Sequence, residues 1–132
     1  TYYPVISIRL KPTALQGVAL PRSLQVATND NTNVFWRLVE NATLTGANWT
    51  NPSDPNIITQ YDISATAYTG GTNILGGFTI GGGSSLIELD TKASLQIGRS
   101  GLGTVSDIYT LVCASPNTNK AAVAVINWLE QR

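Results

Sequence analysis

Apolar and polar residues alternate with a period of two along much of this chain. Val5-Ile6-Ser7-Ile8-Arg9-Leu10 sets Ile6, Ile8 and Leu10 on one face and Ser7 and Arg9 on the other, the pattern of a half-buried strand. Pro12 and the stretch Gly17 to Pro21 break the pattern, and a short strand resumes over Ser23 to Thr28 before the polar loop Asn29-Asp30-Asn31-Thr32-Asn33. Val34 to Glu40 is dense in aromatic and β-branched residues, with Phe35, Arg37 and Val39 on one face and Val34, Trp36, Leu38 and Glu40 on the other, which suits a central strand. After the turn-rich stretch Asn51 to Asn56, Tyr61 to Tyr68 alternates again and predicts Tyr61, Ile63, Ala65 and Ala67 facing inward.

Gly70-Gly71 reads as a tight hairpin turn into a strand over Thr72 to Thr79, and Gly81-Gly82-Gly83-Ser84-Ser85 as a loop before Leu86 to Leu89. Further strands are expected over Ser94 to Ile97, Ile108 to Ala114 and Ala121 to Leu129. The last has an Ala-rich start that a helix would also accept, but Val123, Val125 and Ile126 favour a strand covered on both faces. Turn signals every 8 to 12 residues or so, with no helical pattern between them, describe a sandwich or barrel, and one all-β domain over residues 1–132, an antiparallel β-sandwich, is expected. Jelly-roll and immunoglobulin-like connectivities both satisfy this pattern.

Composition agrees: Thr (16), Asn (11), Ser (10) and Gly (12) make 49 of 132 residues, whereas Lys and Glu together number six, too few for long exposed helices. Eight basic and eight acidic residues are scattered without a run of either sign, which disfavours a nucleic-acid partner. Apolar stretches fall short of the ~20 residues of a membrane helix and the start lacks the order of a signal peptide, so a soluble protein with no membrane partner is expected. Cys113, alone and in an apolar strand, reads as a buried, inert thiol rather than a partner in an intermolecular disulfide.

The chemistry of catalysis has little to draw on. Histidine is absent, removing the commonest general base and metal ligand, and one cysteine cannot build a zinc site. Carboxylates remain, at Asp30, Glu40, Asp54, Asp62, Glu88, Asp90, Asp107 and Glu130, but no motif singles out a pair, so no catalytic residue is assigned. Neither Gly81-Gly82-Gly83 nor Gly98-Arg99-Ser100-Gly101-Leu102-Gly103 has the frame of a phosphate loop, and the Asn29–Asn33 stretch lacks the Gly and terminal Glu of a calcium loop, so no cofactor or metal is expected. Asn41-Ala42-Thr43 and Asn48-Trp49-Thr50 match the glycosylation pattern by chance. Trp36 and Trp128 read as core, which leaves Trp49, beside a polar loop, as the aromatic residue for a sugar to stack on.

The segment from Trp36 to Trp49, with Arg37-Leu38-Val39-Glu40-Asn41-Ala42-Thr43-Leu44-Thr45-Gly46-Ala47-Asn48 between, resembles a pattern in small structural proteins of tailed bacteriophages. So do Asp62-Ile63-Ser64-Ala65-Thr66-Ala67-Tyr68-Thr69-Gly70-Gly71-Thr72, the late Asp107-Ile108-Tyr109-Thr110-Leu111-Val112, and the Ala-rich end closing on Asn127-Trp128-Leu129-Glu130. The resemblance spans most of the chain from Ile6 onward. It implies a non-enzymatic virion protein, jelly-roll-like rather than immunoglobulin-like, that decorates or cements the capsid as a homo-oligomer (dimer or trimer) bound to the major capsid protein and is assembled in the bacterial cytoplasm. A glycan-binding module on a fibre or head is the alternative. Partner-binding candidates are Tyr2 and Tyr3, in an extended segment 1–4 that serves either as an N-terminal arm or as a strand edge of its own subunit, and Trp49.

Overall fold

In the computed structural model, which describes residues 2–15, 17–28, 33–79, 84–88, 106–114 and 122–131, the alternating segments form strands of two packed sheets. In chain order the strands are β1 (Tyr3–Leu10), β2 (Val18–Thr28), β3 (Val34–Glu40), β4 (Thr43–Thr45), β5 (Thr59–Asp62), β6 (Ala67–Thr69), β7 (Thr72–Thr79), β8 (Ser84–Glu88), β9 (Tyr109–Ala114) and β10 (Ala122–Gln131). A five-stranded antiparallel sheet runs β5-β1-β9-β3-β7, a three-stranded sheet runs β10-β2-β8, and β4 and β6 pair as a separate ribbon. The chain is all-β, and the predicted sandwich is present.

An immunoglobulin sandwich places several consecutive strands side by side in one sheet. Here β1 to β2, β2 to β3, β7 to β8, β8 to β9 and β9 to β10 each cross to the opposite sheet among the described strands, so successive strands mostly alternate between the two layers of the sandwich.

The core lies between the sheets. Ile8, Leu10, Trp36, Leu38, Tyr109, Leu111 and Cys113 face it from the larger sheet, and Ala19, Leu24, Val26 and Ile126 from the smaller. Trp36 packs flat against Gly77 of its neighbour strand: a Cβ at Gly77 would stand 2.9 Å from the indole Cζ2, so only glycine fits there. The indole Nε1 is buried without a hydrogen-bond partner among the described residues, an unmet donor costing about 1–3 kcal/mol that the packing of the ring offsets.

The outer face of the larger sheet is covered in its middle by the β4–β6 ribbon, where Val39, Ala42 and Val112 are buried with Tyr2 and Tyr68 packed against them. Ser7, expected on a solvated face, is therefore buried, and its hydroxyl hydrogen-bonds that of Thr110 across the β1–β9 pair at 2.8 Å.

Four local expectations are corrected. The break expected over Gly17 to Pro21 gives way at Val18, where β2 begins, and Pro21 lies within that strand because it sits beside a bulge: Asn127 pairs with Ser23 and Trp128 with Pro21, so Arg22 is the extra residue and the missing N–H of proline breaks no regular ladder. Tyr61 to Tyr68 is not one strand but β5 and β6 around a tight turn at Ile63–Thr66. Asp62 makes that turn and is buried, while Ile63, expected inward, is 70% exposed. Gly70-Gly71 is not a hairpin turn, since β6 pairs with β4 and β7 with β3. Both glycines have positive φ, and a Cβ on Gly71 would lie 2.7 Å from Val39 Cγ1 and 2.8 Å from the Glu40 carbonyl, so this corner needs glycine to pass from ribbon to sheet. The final segment is a strand rather than a helix. The predicted strand over Ser94 to Ile97, the loops at 29–32 and 81–83 and the glycine stretch 98–103 lie outside the described residues.

Candidate interaction surface

Two stretches of the larger sheet's outer face extend beyond the ribbon, one at each end. The first is aromatic. Antiparallel register places Phe78 of β7 opposite Phe35 of β3, and Phe35 opposite Ala114 of β9. Strand alternation, which turns Trp36 into the core, turns Phe35 out. Phe35 and Phe78 are 42% and 57% exposed, with ring centroids 6.2 Å apart in a tilted pair. Tyr2 continues toward β1, where the Arg37 guanidinium lies 4.2 Å from its ring centroid. The exposed parts of the two phenylalanines amount to about one whole ring, roughly 200 Å², or about 5 kcal/mol of gross stabilisation if a partner buried them.

The second stretch is polar, at the opposite end on the β1–β5 edge. Arg9 of β1 pairs in register with Gln60 of β5, and its Nε–H donates to Gln60 Oε1 at 3.0 Å. Gln60 Nε2–H donates in turn to Asn51 Oδ1 at 2.9 Å. Trp49 stacks on Arg9, whose Cζ is 4.2 Å from the ring centroid. Trp49 reaches this position because backbone bonds between Thr50 and Tyr61 (2.8 and 3.1 Å) lay its loop along β5 and Asp62 holds the loop down. The Asp62 carboxylate accepts from the backbone N–H groups of Asn48 (2.8 Å), Ser64 (3.0 Å) and Ala65 (3.0 Å) and from the Ser64 hydroxyl. Burial pushes its pKa up, but these four donors together outweigh it, and the net shift is downward.

The sequence-derived candidates are therefore distributed over this sheet. Tyr2 is partly buried under Arg37, Tyr3 is 59% exposed within β1 with its Cα opposite Cys113, and Trp49 is partly buried with one ring face taken by Arg9. Tyr2 and Trp49 sit at different ends and do not form one site. Sequence reasoning placed Phe35 and Arg37 on the same face but did not select them, and Phe78 and Arg9 were not selected either.

Other features hold the fold together rather than form a site. Burial raises the Cys113 thiol to about 11, so it is protonated and unreactive at neutral pH. A shallow depression of about 370 Å³ lies between Ile57, Ile126, Asn127, Trp128 and Glu130. Its carboxylate is committed, accepting from Ile58 N–H (2.9 Å), Thr59 Oγ1 (2.9 Å) and Trp128 Nε1 (3.0 Å), and so ties β10 of the smaller sheet to β5 of the larger. Among the described residues no three His, Cys, Asp or Glu side chains are grouped to hold a metal. Comparison with protein-family models, curated proteins and solved structures finds no match for this chain.

Proposed function

We propose that the protein is a non-enzymatic structural subunit that acts by surface contact, as a homo-oligomeric decoration or cement protein on the capsid of a tailed bacteriophage. The phage assignment rests on the sequence resemblance described above. The mode of action rests on one observation, the outward-facing pair Phe35 and Phe78 on a rigid sheet. An aromatic patch on a well-packed β-scaffold suits docking on another protein, because the rings contribute contact area with little side-chain entropy to lose and the sheet keeps them in place. A shell that repeats such a subunit gains stability from each copy of the contact.

Virions with and without the protein test this reading under heat, chelator and osmotic shock. The proposal expects the depleted particles to release their contents under milder conditions than complete ones, and equal resistance of the two would remove the cementing role.

A further inference from the structure

We propose that the ledge formed by Arg9, Trp49, Gln60 and Asn51 is a binding site for a carboxylate-bearing sugar, such as a uronate unit of an acidic polysaccharide. This ledge lies at the other end of the sheet from the phenylalanine pair, and the inference is independent of the surface-contact reading.

Arg9 is held in one orientation by its Nε–H bond to Gln60 at 3.0 Å and by stacking on Trp49 at 4.2 Å. Those contacts use one of its five N–H donors and one face of its plane. The four Nη–H donors have no partner among the described residues, and no described carboxylate pairs with the guanidinium. Asp62, two residues from Gln60 on the same strand face, is already saturated by Asn48, Ser64 and Ala65. The result is a partly desolvated cation, fixed in its fork geometry and with no counter-charge among the described residues. Burial lowers its pKa and still leaves it charged at neutral pH. A carboxylate is the complementary group, since its two oxygens match the fork bidentately.

The surroundings select sugar over protein. The amide groups of Gln60 and Asn51 are hydrogen-bonded in line with Arg9, and the adjoining Asn48 and Thr50 are exposed polar residues. Hydroxyl-rich ligands bind such groups, whereas protein partners need an apolar centre of the kind that the Phe35–Phe78 pair presents at the other end of this sheet. Trp49 thus contributes by fixing Arg9, and the guanidinium is the recognition group.

The test is calorimetric titration of the protein with trigalacturonate, with its neutral methyl ester and with an oligoglutamate peptide, at low and moderate salt. The site predicts saturable, salt-weakened binding of trigalacturonate and at least tenfold weaker binding of the ester. Arg9→Lys, which keeps the charge but loses the fork, is expected to weaken binding at least tenfold, and the exposed Asn51→Ala about two- to fivefold. The latter keeps the test decisive if Arg9→Lys lowers the unfolding midpoint. Phe78→Lys is expected to leave sugar binding unchanged, which separates this site from the aromatic contact. Absent binding, or equal affinity for acid and ester, would overturn the proposal, and equal affinity for oligoglutamate would reassign the ledge to an acidic protein segment.

Discussion

Glu130 is the single polar side chain whose removal tests the sandwich most sharply, because its carboxylate is the acceptor for Ile58 N–H, Thr59 Oγ1 and Trp128 Nε1. Hydrogen bonds to a charged acceptor contribute about 1.5–3 kcal/mol each. The low end of that range sums to about 4.5 kcal/mol for the three bonds, and because all three are part-buried, water replaces some of the loss in a Glu130→Ala variant and leaves about 3–4 kcal/mol of destabilisation. Glu130→Gln is graded. One amide oxygen can keep the Thr59 and Trp128 contacts, but the amide nitrogen then faces the Ile58 N–H, donor against donor, for a cost of about 1–2 kcal/mol. Urea unfolding followed by tryptophan fluorescence reads both values, and the m-value is expected to stay constant because the exposed surface on unfolding is unchanged. If Glu130→Ala falls within about 0.5 kcal/mol of the parent, the carboxylate is not tying the sheets together and the account of the β5–β10 junction is wrong.

Two further predictions concern the outer face. Gly71→Ala forces a Cβ to within 2.7 Å of Val39 at positive φ, so a loss of about 3 kcal/mol or more is expected in the same unfolding assay, whereas Gly70→Ala, with nothing within 4 Å, loses only the ~1–2 kcal/mol of the left-handed backbone. The lowered pKa of Asp62 means that its contribution to stability is fully present above the ordinary 3.8 and is lost as pH falls below that value toward the folded-state pKa. An Asp62→Asn variant is expected to be less stable at pH 7, with a parent-minus-variant difference that shrinks below pH 4. A difference independent of pH would show that the carboxylate charge is not what holds the Asn48–Ala65 turn.

Much of the scaffold was legible because alternation reports directly on which residues a sheet buries. Trp36 and Leu38 in β3 and Ile8 and Leu10 in β1 face the core as their period predicted. Misreadings arose where a local preference yielded to tertiary demand. Pro21 reads as a stop, yet a bulge opposite Trp128 accommodates it. Ile63 reads as core from its hydrophobicity, yet burying the Asp62 carboxylate against four donors fixes the opposite phase. Gly70-Gly71 marks a real chain reversal, but the sequence carries no sign that the next strand joins a different sheet.

The candidate surface was less legible for the same reason. Phe35 was visible as the residue opposite Trp36, but its neighbour Phe78 is 43 positions away and meets it only through the β3–β7 register. Arg9 and Trp49 are likewise distant in sequence and meet only because Asp62 and the Thr50–Tyr61 bridge fold the loop back onto β1. Tyr2 was found from its place in the extended segment before Pro4 and Trp49 from lying beside a polar loop, and the fold then gave each an arginine partner that no spacing rule anticipates.

The surface-contact account stands or falls on the phenylalanine pair. Its most direct test is co-sedimentation of purified protein with virions depleted of it, comparing the parent with a Phe35→Lys/Phe78→Lys variant whose unfolding midpoint matches the parent. Loss of about 5 kcal/mol of apolar contact corresponds to a drop in affinity of at least a thousandfold. The account predicts that the parent rebinds to saturation while the variant stays in the supernatant, and equal rebinding of the two would contradict it.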